Sequence, residues 1–332
     1  MTGPVTLCEV WRGDLLESVH AGHAVIVDET GQVVQAWGDP EAVIYPRSSC
    51  KMLQALPLVE SGAAEGLSSE RLALACASHN GAAIHTDRVR AWLGEMGMTD
   101  ADFRCGPQMP DDRAAREALI KSDDSPCQVH NNCSGKHAGF LTLTRHLKAG
   151  PEYVEVDHPV QRAVKAAFEE SVEETSPGYG IDGCSAPNFA CTLTGLGRAM
   201  ASFASAGGRS GVRAEAQRRL VAAMTAHPEL VAGETRACTE LMRAMDGRVA
   251  IKTGAEAVFV AIVPEKKLGV ALKIVDGGTR ASECAIAAIL VRLGVLDPNH
   301  PATLARLNPP LRNRRDIVCG DIRPAAALRQ DA

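Results

Sequence analysis

Sequence typical of β-strands occurs at both ends of this chain, whereas sequence typical of helices fills the region between them. Near the two ends we predict short strands, over Val5–Trp11, Ala24–Asp28 and Val33–Trp37, and over Val249–Thr253, Val258–Val263 and Leu268–Val275. Since a sheet must bury a face against another layer, this pattern predicts one antiparallel sheet built from both termini, with a helical middle region inserted. The expected fold class is α/β, of the α+β type.

The 332 residues are enough for one large domain or two smaller ones. We predict a single domain over residues 1–332, with the sheet drawn from about 1–45 and 247–296 and the helical region from about 48–245. An apolar stripe beginning at Ser48 places this serine near a helix N-terminus. Further helices are predicted over Thr86–Glu95, Asp112–Lys121, Lys136–Leu147, Pro159–Val172, Leu196–Ala204, Val212–Ala226, Glu234–Met245 and Arg280–Leu293, and the tail from Asp297 is expected to be irregular.

The composition favours a globular protein and excludes some partners. Hydrophobic residues make up 45% of the chain and charged residues 23%, with a net charge of −5, so we expect neither a nucleic-acid nor a membrane partner. No export signal is recognised, and the eleven cysteines are dispersed without a C-x-x-C pair. These features predict free thiols and a cytoplasmic location.

Three short motifs follow one another along the chain: Ser48-Ser-Cys-Lys51, Ser78-His-Asn80 and Lys252-Thr-Gly254. They have the S-x-x-K, S-x-N, K-T-G order of serine acyl-transferases, in which lysine activates the serine hydroxyl. Each motif alone is common by chance. The ordered set indicates a nucleophile, a proton relay and a strand that anchors the substrate.

The motif residues can be assigned chemical roles. A serine hydroxyl is a weak nucleophile at neutral pH and needs an adjacent base, and lysine serves as one only when its amine is neutral. We assign Ser48 as the nucleophile and Lys51, one helical turn away, as its base. Ser78 and Lys252 form a second couple that relays the proton to the leaving amine. Backbone N–H groups at the start of the Ser48 helix would stabilise the oxyanion.

Other polar residues leave alternatives open. Arg47 precedes the nucleophile and would bind a substrate carboxylate, or it forms an ordinary surface ion pair. The segments His130–His137 and Asp182–Ser185 bring two cysteines and two histidines, which suit a soft metal such as zinc, although the spacing alone favours small thiols packed around a loop crossing. Cys238 carries no signal of its own.

At these residues the chain resembles the bacterial asparaginase II family of rhizobial type, the thermolabile class 3 asparaginases. The resemblance covers nearly the whole chain and is carried by Tyr45–Lys51, Ala77–Asn80, His130–His137, Gly180–Ser185 and Ile251–Gly254. It implies hydrolysis of L-asparagine to L-aspartate and ammonia, a fold similar to serine β-lactamases and glutaminases, and a homodimer.

The resemblance also implies roles for individual residues. It places the two Ser–Lys pairs at Ser48/Lys51 and Ser78/Lys252, and a zinc site at Cys133, Lys136 and Cys184. Asp182 and His137 would lie beside that metal, with Cys238 close by. A small zwitterion needs an acid for its ammonium and a base for its carboxylate, so we expect substrate contacts from Asp182, Arg47, His137, Cys238 and Asn80.

Rival functions remain open at this stage. The same motif order occurs in glutaminases and β-lactamase-like serine amidohydrolases, which differ in the amide they cleave. A non-catalytic amino-acid- or zinc-binding protein would retain the fold without turnover. A metallohydrolase that uses Cys133 and Cys184 is the third alternative.

Overall fold

The computed structural model describes residues 3–329, and most of the predicted strands and helices are present. The strands are β1 (Val5–Arg12), β2 (Leu15–Val27), β3 (Val33–Trp37), β4 (Val43–Ile44), β5 (Tyr179–Ile181), β6 (Pro187–Phe189), β7 (Cys191–Thr192), β8 (Ala250–Gly254), β9 (Val258–Val263), β10 (Leu268–Ile274), β11 (Pro310–Arg312) and β12 (Val318–Pro324).

The helices occupy the middle of the chain and its C-terminal part. They are α1 (Lys51–Gln54), α2 (Leu56–Glu60), α3 (Ser69–Ala75), α4 (Ala83–Glu95), α5 (Arg113–Ser122), α6 (Ser134–His146), α7 (Pro159–Val172), α8 (Leu193–Ala204), α9 (Val212–Ala226), α10 (Pro228–Val231), α11 (Ala237–Ala244), α12 (Thr279–Arg292) and α13 (Pro301–Leu307). In the described part of the chain, no helix combines the length and apolar character needed to cross a membrane.

The chain divides into two compact units. One consists of the chain up to Ser49, Cys191–Ser205 and the chain from Glu240 onward, and the other of Cys50–Ala190 and Ala206–Thr239. The predicted fold class is confirmed, because one antiparallel sheet is built from both ends of the chain and helices fill the middle. The single domain stays a prediction.

The first unit is organised around an eight-stranded sheet with the order β11-β12-β1-β2-β10-β9-β8, and β3 also pairs with β2. Every residue of β9 is buried, as expected for a strand with helices on both faces of the sheet. Helix α8 lies very close to β10, since a Cβ at Gly269 would be 2.3 Å from the carbonyl oxygen of Gly197. Only glycine allows this approach.

The second unit is helical, and α6 lies at its centre. Every residue of α6 from Ser134 to Leu141 is buried. A Cβ at Gly135 would lie 2.4 Å from the carbonyl oxygen of Leu74, so α3 and α6 pack with their backbones in near contact. This buried helix carries Lys136 and His137.

Two sequence expectations are wrong. The tail after Asp297 is not irregular, because α13 forms there and β12 pairs antiparallel with β1. Strand β2 begins at Leu15 rather than Ala24, and its first five residues are exposed and do not alternate between apolar and polar. In both cases the partner strand β1, and not the local sequence, supplies the pairing that makes a strand.

Candidate active site

The first unit brings the K-T-G strand to the segment that carries Ser48. Ser48 lies in a 3₁₀ turn, Arg47–Cys50, which runs directly into α1 at Lys51. A Cβ at Gly254 would lie 2.6 Å from the carbonyl oxygen of Pro46, so β8 presses against this turn through a bare glycine. Lys252 of the same strand is fully buried.

The turn around Ser48 has an unusual backbone. Arg47 has a φ of 54°, in the left-handed region that residues with a side chain rarely adopt. The hydroxyl of Ser49 donates a hydrogen bond of 2.7 Å to the carbonyl oxygen of Pro46 and fixes the turn. Ser48 itself is only half-buried.

In the second unit, the Lys51 amine is buried and lies within hydrogen-bond distance of three partners. These are the carbonyl oxygen of Ala77, Ser78 Oγ at 2.9 Å and Cys133 Sγ at 3.1 Å. Only 1% of Lys51 is exposed, so these contacts replace the water that the amine would otherwise bind. The amine therefore connects the S-x-N motif with the first cysteine of the thiol segment.

The S-x-N motif itself is held by backbone hydrogen bonds. The N–H of Ser78 donates to the carbonyl oxygen of Val231 at 2.9 Å. The carbonyl oxygen of Asn80 accepts a 2.8 Å hydrogen bond from the N–H of Asp112, and Asn80 Oδ1 accepts one of 3.3 Å from the N–H of Ala82. Asn80 is buried and anchors the motif.

A cluster of thiols and an amine lies next to Lys51. Lys136 Nζ donates to Cys184 Sγ at 3.1 Å, and the Cys133 thiol interacts with the same sulfur. The Cys133 contact and the Lys136 charge lower the pKa of Cys184, against the opposing effect of burial. Burial by itself would lower the pKa of Lys136. The negative charges of Cys184, Cys133 and Asp182 outweigh this effect and raise the Lys136 pKa. The directions of these two shifts favour a thiolate at Cys184 beside a protonated Lys136.

His137 contributes a buried neutral imidazole to this cluster. Burial lowers its pKa to about 4. Its Nδ1 lies 2.9 Å from Tyr153 Oη, which also accepts a 2.8 Å hydrogen bond from the N–H of Arg104. The Cys184 side chain interacts with the imidazole and opposes this lowering of the His137 pKa. The rings of Phe103 and Phe140 enclose the imidazole.

Asp182 and Cys238 also lie in the second unit. Asp182 is half-buried in the turn between β5 and β6, where its N–H donates to the carbonyl oxygen of Ala186 at 3.0 Å. Its charge acts on Lys136. Cys238 is buried in the first turn of α11. The substrate-binding roles of both residues stay predictions.

The donor atoms at the thiol cluster fit a soft metal ion. Over residues 3–329, no group of three or more His, Cys, Asp or Glu side chains is arranged to hold a metal. A site here therefore needs the Lys136 amine as third ligand beside the Cys133 and Cys184 sulfurs. Two sulfurs and a nitrogen are ligands that zinc accepts.

The structure thus brings five of the predicted site residues together in the second unit. Lys51 contacts Ser78 and Cys133, and Lys136 contacts Cys184. The pairings Ser48–Lys51 and Ser78–Lys252 join residues of different units and stay predictions.

Sequence reasoning missed two polar neighbours of the cluster. Asn132 Oδ1 lies 2.9 Å from Cys133 Sγ, and the Tyr153 hydroxyl contacts His137. Asn132 lies inside a motif that was already recognised, so its position next to Cys133 was the available signal. Tyr153 lies outside every motif, and nothing in its local sequence marks it.

Comparison with known proteins agrees with the motifs. The family description L-asparaginase II matches residues 8–324. No curated protein sequence matches the chain significantly. Similar solved structures include Mglu in its native form, at 14% identity and a TM-score of 0.46 over 84% of this chain and 66% of that one. The chain thus spans just under two thirds of the Mglu chain.

Two further solved structures are similar at low identity. A putative beta-lactamase from Bacteroides dorei is 10% identical, with a TM-score of 0.45 over 81% of this chain and 93% of that one. A beta-lactamase from Mycobacterium bovis is 14% identical, with a TM-score of 0.39 over 83% and 95%. The family match extends over nearly the whole sequence and includes all the motif residues. The chain therefore belongs to the L-asparaginase II family.

Proposed function

We propose that this protein is an L-asparaginase that hydrolyses L-asparagine to L-aspartate and ammonia through a lysine-activated serine. The observation that carries the proposal is the buried Lys51 amine, 2.9 Å from the Ser78 hydroxyl and one residue beyond the Ser48 turn. Acyl transfer by a Ser–Lys pair requires a buried lysine amine next to a serine hydroxyl of the motif set, and Lys51 meets this requirement at Ser78.

In the proposed reaction, Ser48 Oγ attacks the side-chain carboxamide carbon of asparagine while neutral Lys51 accepts the hydroxyl proton. The tetrahedral intermediate then collapses, its carbon–nitrogen bond breaks, and Ser78 with Lys252 passes a proton to the departing ammonia. Water attacks the resulting acyl-serine by the reverse path and releases aspartate. The hydrogen bond between Lys51 and Ser78 supports this exchange, because it joins the two couples.

Substrate recognition follows from the charges of the amino acid. We propose that Asp182 binds the α-ammonium and that Arg47 binds the α-carboxylate, with Asn80, His137 and Cys238 lining the site. The partial exposure of Asp182 and Arg47 supports these roles. Replacing Asp182 with Asn should raise KM for asparagine on the order of tenfold or more, because a charge-assisted contact is lost.

We propose zinc as the metal held by Cys133, Lys136 and Cys184. Bound zinc would act as a Lewis acid that fixes the two sulfurs and the amine and orients the adjoining loops. Lysine binds a metal only in its neutral form, so zinc affinity should fall as the pH falls. After dialysis against a zinc buffer, Cys184→Ser should retain less zinc per chain than the wild type. Elemental mass spectrometry of the dialysed protein measures the retained zinc.

We also propose that the protein acts as a homodimer, which the resemblance of the motifs supports, and that it acts in the cytoplasm, which the dispersed cysteines support. Light scattering coupled to size-exclusion chromatography would give the mass in solution. A mass near 35.1 kDa, that of one chain, would refute the dimer.

The decisive assay compares ammonia release from asparagine and glutamine with cleavage of a chromogenic β-lactam. Faster release from asparagine supports the proposal, and preference for either rival substrate overturns it. Ser48→Ala should abolish turnover, whereas Ser61→Ala, an exposed serine at the end of α2, should retain it.

Trapping with a slow ester analogue then identifies the nucleophile. Mass spectrometry should find the adduct on the peptide that contains Ser48, and an adduct on Ser78 instead would reverse the assigned roles. Activity that survives chelation but is lost in Ser48→Ala would eliminate the metallohydrolase.

A further inference from the structure

We propose that His79 is a positioning residue that holds the Ser78 hydroxyl and the Cys133 thiol on either side of the Lys51 amine. It thereby couples the thiol cluster to the Ser–Lys machinery. The inference rests on the proposed function for its kinetic consequence, but its structural basis is independent of the substrate. His79 lies in the middle of the S-x-N motif and is completely buried.

Hydrogen bonding determines the tautomer of this imidazole. The backbone N–H of Gly81 donates to His79 Nδ1 at 3.2 Å, so Nδ1 acts as an acceptor and carries no hydrogen. The ring hydrogen is therefore on Nε2, which lies 2.9 Å from Ser134 Oγ and donates to it. Burial, with a contribution from His85, lowers the pKa of His79 well below its usual value, in agreement with a neutral ring.

Two hydrogen bonds of His79 flank Cys133. Its side chain binds Ser134, the residue after Cys133, and its backbone N–H donates to the carbonyl oxygen of Asn132, the residue before it, at 3.1 Å. Cys133 is thus attached on both sides to the motif that carries Ser78. A single residue fixes how far the thiol lies from the serine.

The Lys51 amine responds to that separation. It reaches Ser78 Oγ at 2.9 Å and Cys133 Sγ at 3.1 Å at once, which is possible only while the two acceptors stay close together. The ring of His79 is further fixed by stacking on His85, with centroids 4.7 Å apart and planes inclined by 8°. Loss of the Ser134 contact would free Cys133 to move and would misalign the lysine.

Two substitutions at His79 separate positioning from simple packing. In His79→Gln, the amide nitrogen extends to about the place of Nε2 and can still donate to Ser134. In His79→Asn, the shorter side chain retains an acceptor for Gly81 but cannot reach Ser134. We expect kcat of His79→Asn to fall on the order of ten- to a hundredfold with KM within about twofold, and His79→Gln to recover most of it.

The partner serine provides a second test with a matched control. Ser134→Ala should lower kcat about as much as His79→Asn, and the double variant should lose no more than either single one, because both remove one hydrogen bond. Ser171→Ala also removes a buried helical hydroxyl of the same unit, which donates to the carbonyl oxygen of Ala167 at 2.7 Å. It should leave kcat unchanged.

The reactivity of Cys133 gives a readout that needs no substrate. We expect iodoacetamide to modify Cys133 at least severalfold faster in His79→Asn and Ser134→Ala than in wild type, His79→Gln or Ser171→Ala, as quantified by peptide mass spectrometry. If wild type hydrolyses no amide, the proposed function falls and this measurement alone decides the inference. Unchanged Cys133 modification in folded His79→Asn, or multiplicative losses in the double variant, would overturn it.

Discussion

Lowering the pH from 7 to 5 should destabilise the fold by about 2 kcal/mol through His137 alone. Burial among aromatic rings lowers the pKa of this imidazole from 6.5 to about 4. Between these two pKa values, the His137 imidazole is protonated in the unfolded chain but not in the folded protein. This penalty is absent above about pH 6.5, grows as the pH falls toward 4, and levels off near 3 kcal/mol.

The assay is chemical denaturation at several pH values between 7 and 5, with the wild type compared with His137→Gln. Glutamine preserves a polar contact for Tyr153 but does not titrate, so the variant should lack about 2 kcal/mol of the acid-induced loss. His146→Gln removes an exposed imidazole from the same helix, α6, and should behave like wild type.

Equal acid sensitivity of His137→Gln and wild type would refute the reasoning. It would mean that the His137 imidazole is protonated in the folded protein. The tilted packing of its ring against Phe140 and Tyr153 would then have to accommodate a cation.

Three further substitutions test other parts of the structure. Gly135→Ala should destabilise the second unit by about 1–3 kcal/mol in thermal or chemical unfolding, because its Cβ would lie 2.4 Å from the carbonyl oxygen of Leu74. Gly94→Ala in α4 is the control, because its Cβ would meet nothing within 4 Å, and it should be neutral or stabilising by up to about 1 kcal/mol. If Gly94→Ala and Gly135→Ala changed the stability equally, the backbone contact of Gly135 would be contradicted. Gly254→Ala places a Cβ 2.6 Å from a carbonyl oxygen of the turn that bears Ser48, and kcat should fall on the order of tenfold or more while the chain stays folded. Full activity in that variant would show that the turn position does not matter for turnover.

Local sequence predicted the elements whose signals lie within the element. Helices α7 and α9 have the predicted bounds, because periodic apolar residues and, in α7, a proline at the first helical position act within the helix itself. Strand β9 was also found as predicted, since a run of apolar, mostly β-branched residues between turns needs no partner to be recognised.

Elements that depend on a distant partner were missed. Strand β12 pairs with β1, more than 300 residues away in the chain, and its own sequence mixes charged residues with glycine and proline. Pairing with β1, and not local propensity, decides the conformation of β12.

The order of the motifs and the identity of the donor groups were determined by the sequence, because the chemistry of a hydroxyl, a thiol or an amine belongs to the residue itself. Only the tertiary structure decided which groups meet. Lys51 contacts Ser78 and Cys133 across 27 and 82 residues of chain, and His79 reaches Ser134 across 55. Such contacts arise when helix packing closes long loops, and the energies that choose between closures are spread over the whole core and leave no mark at the residues that finally touch.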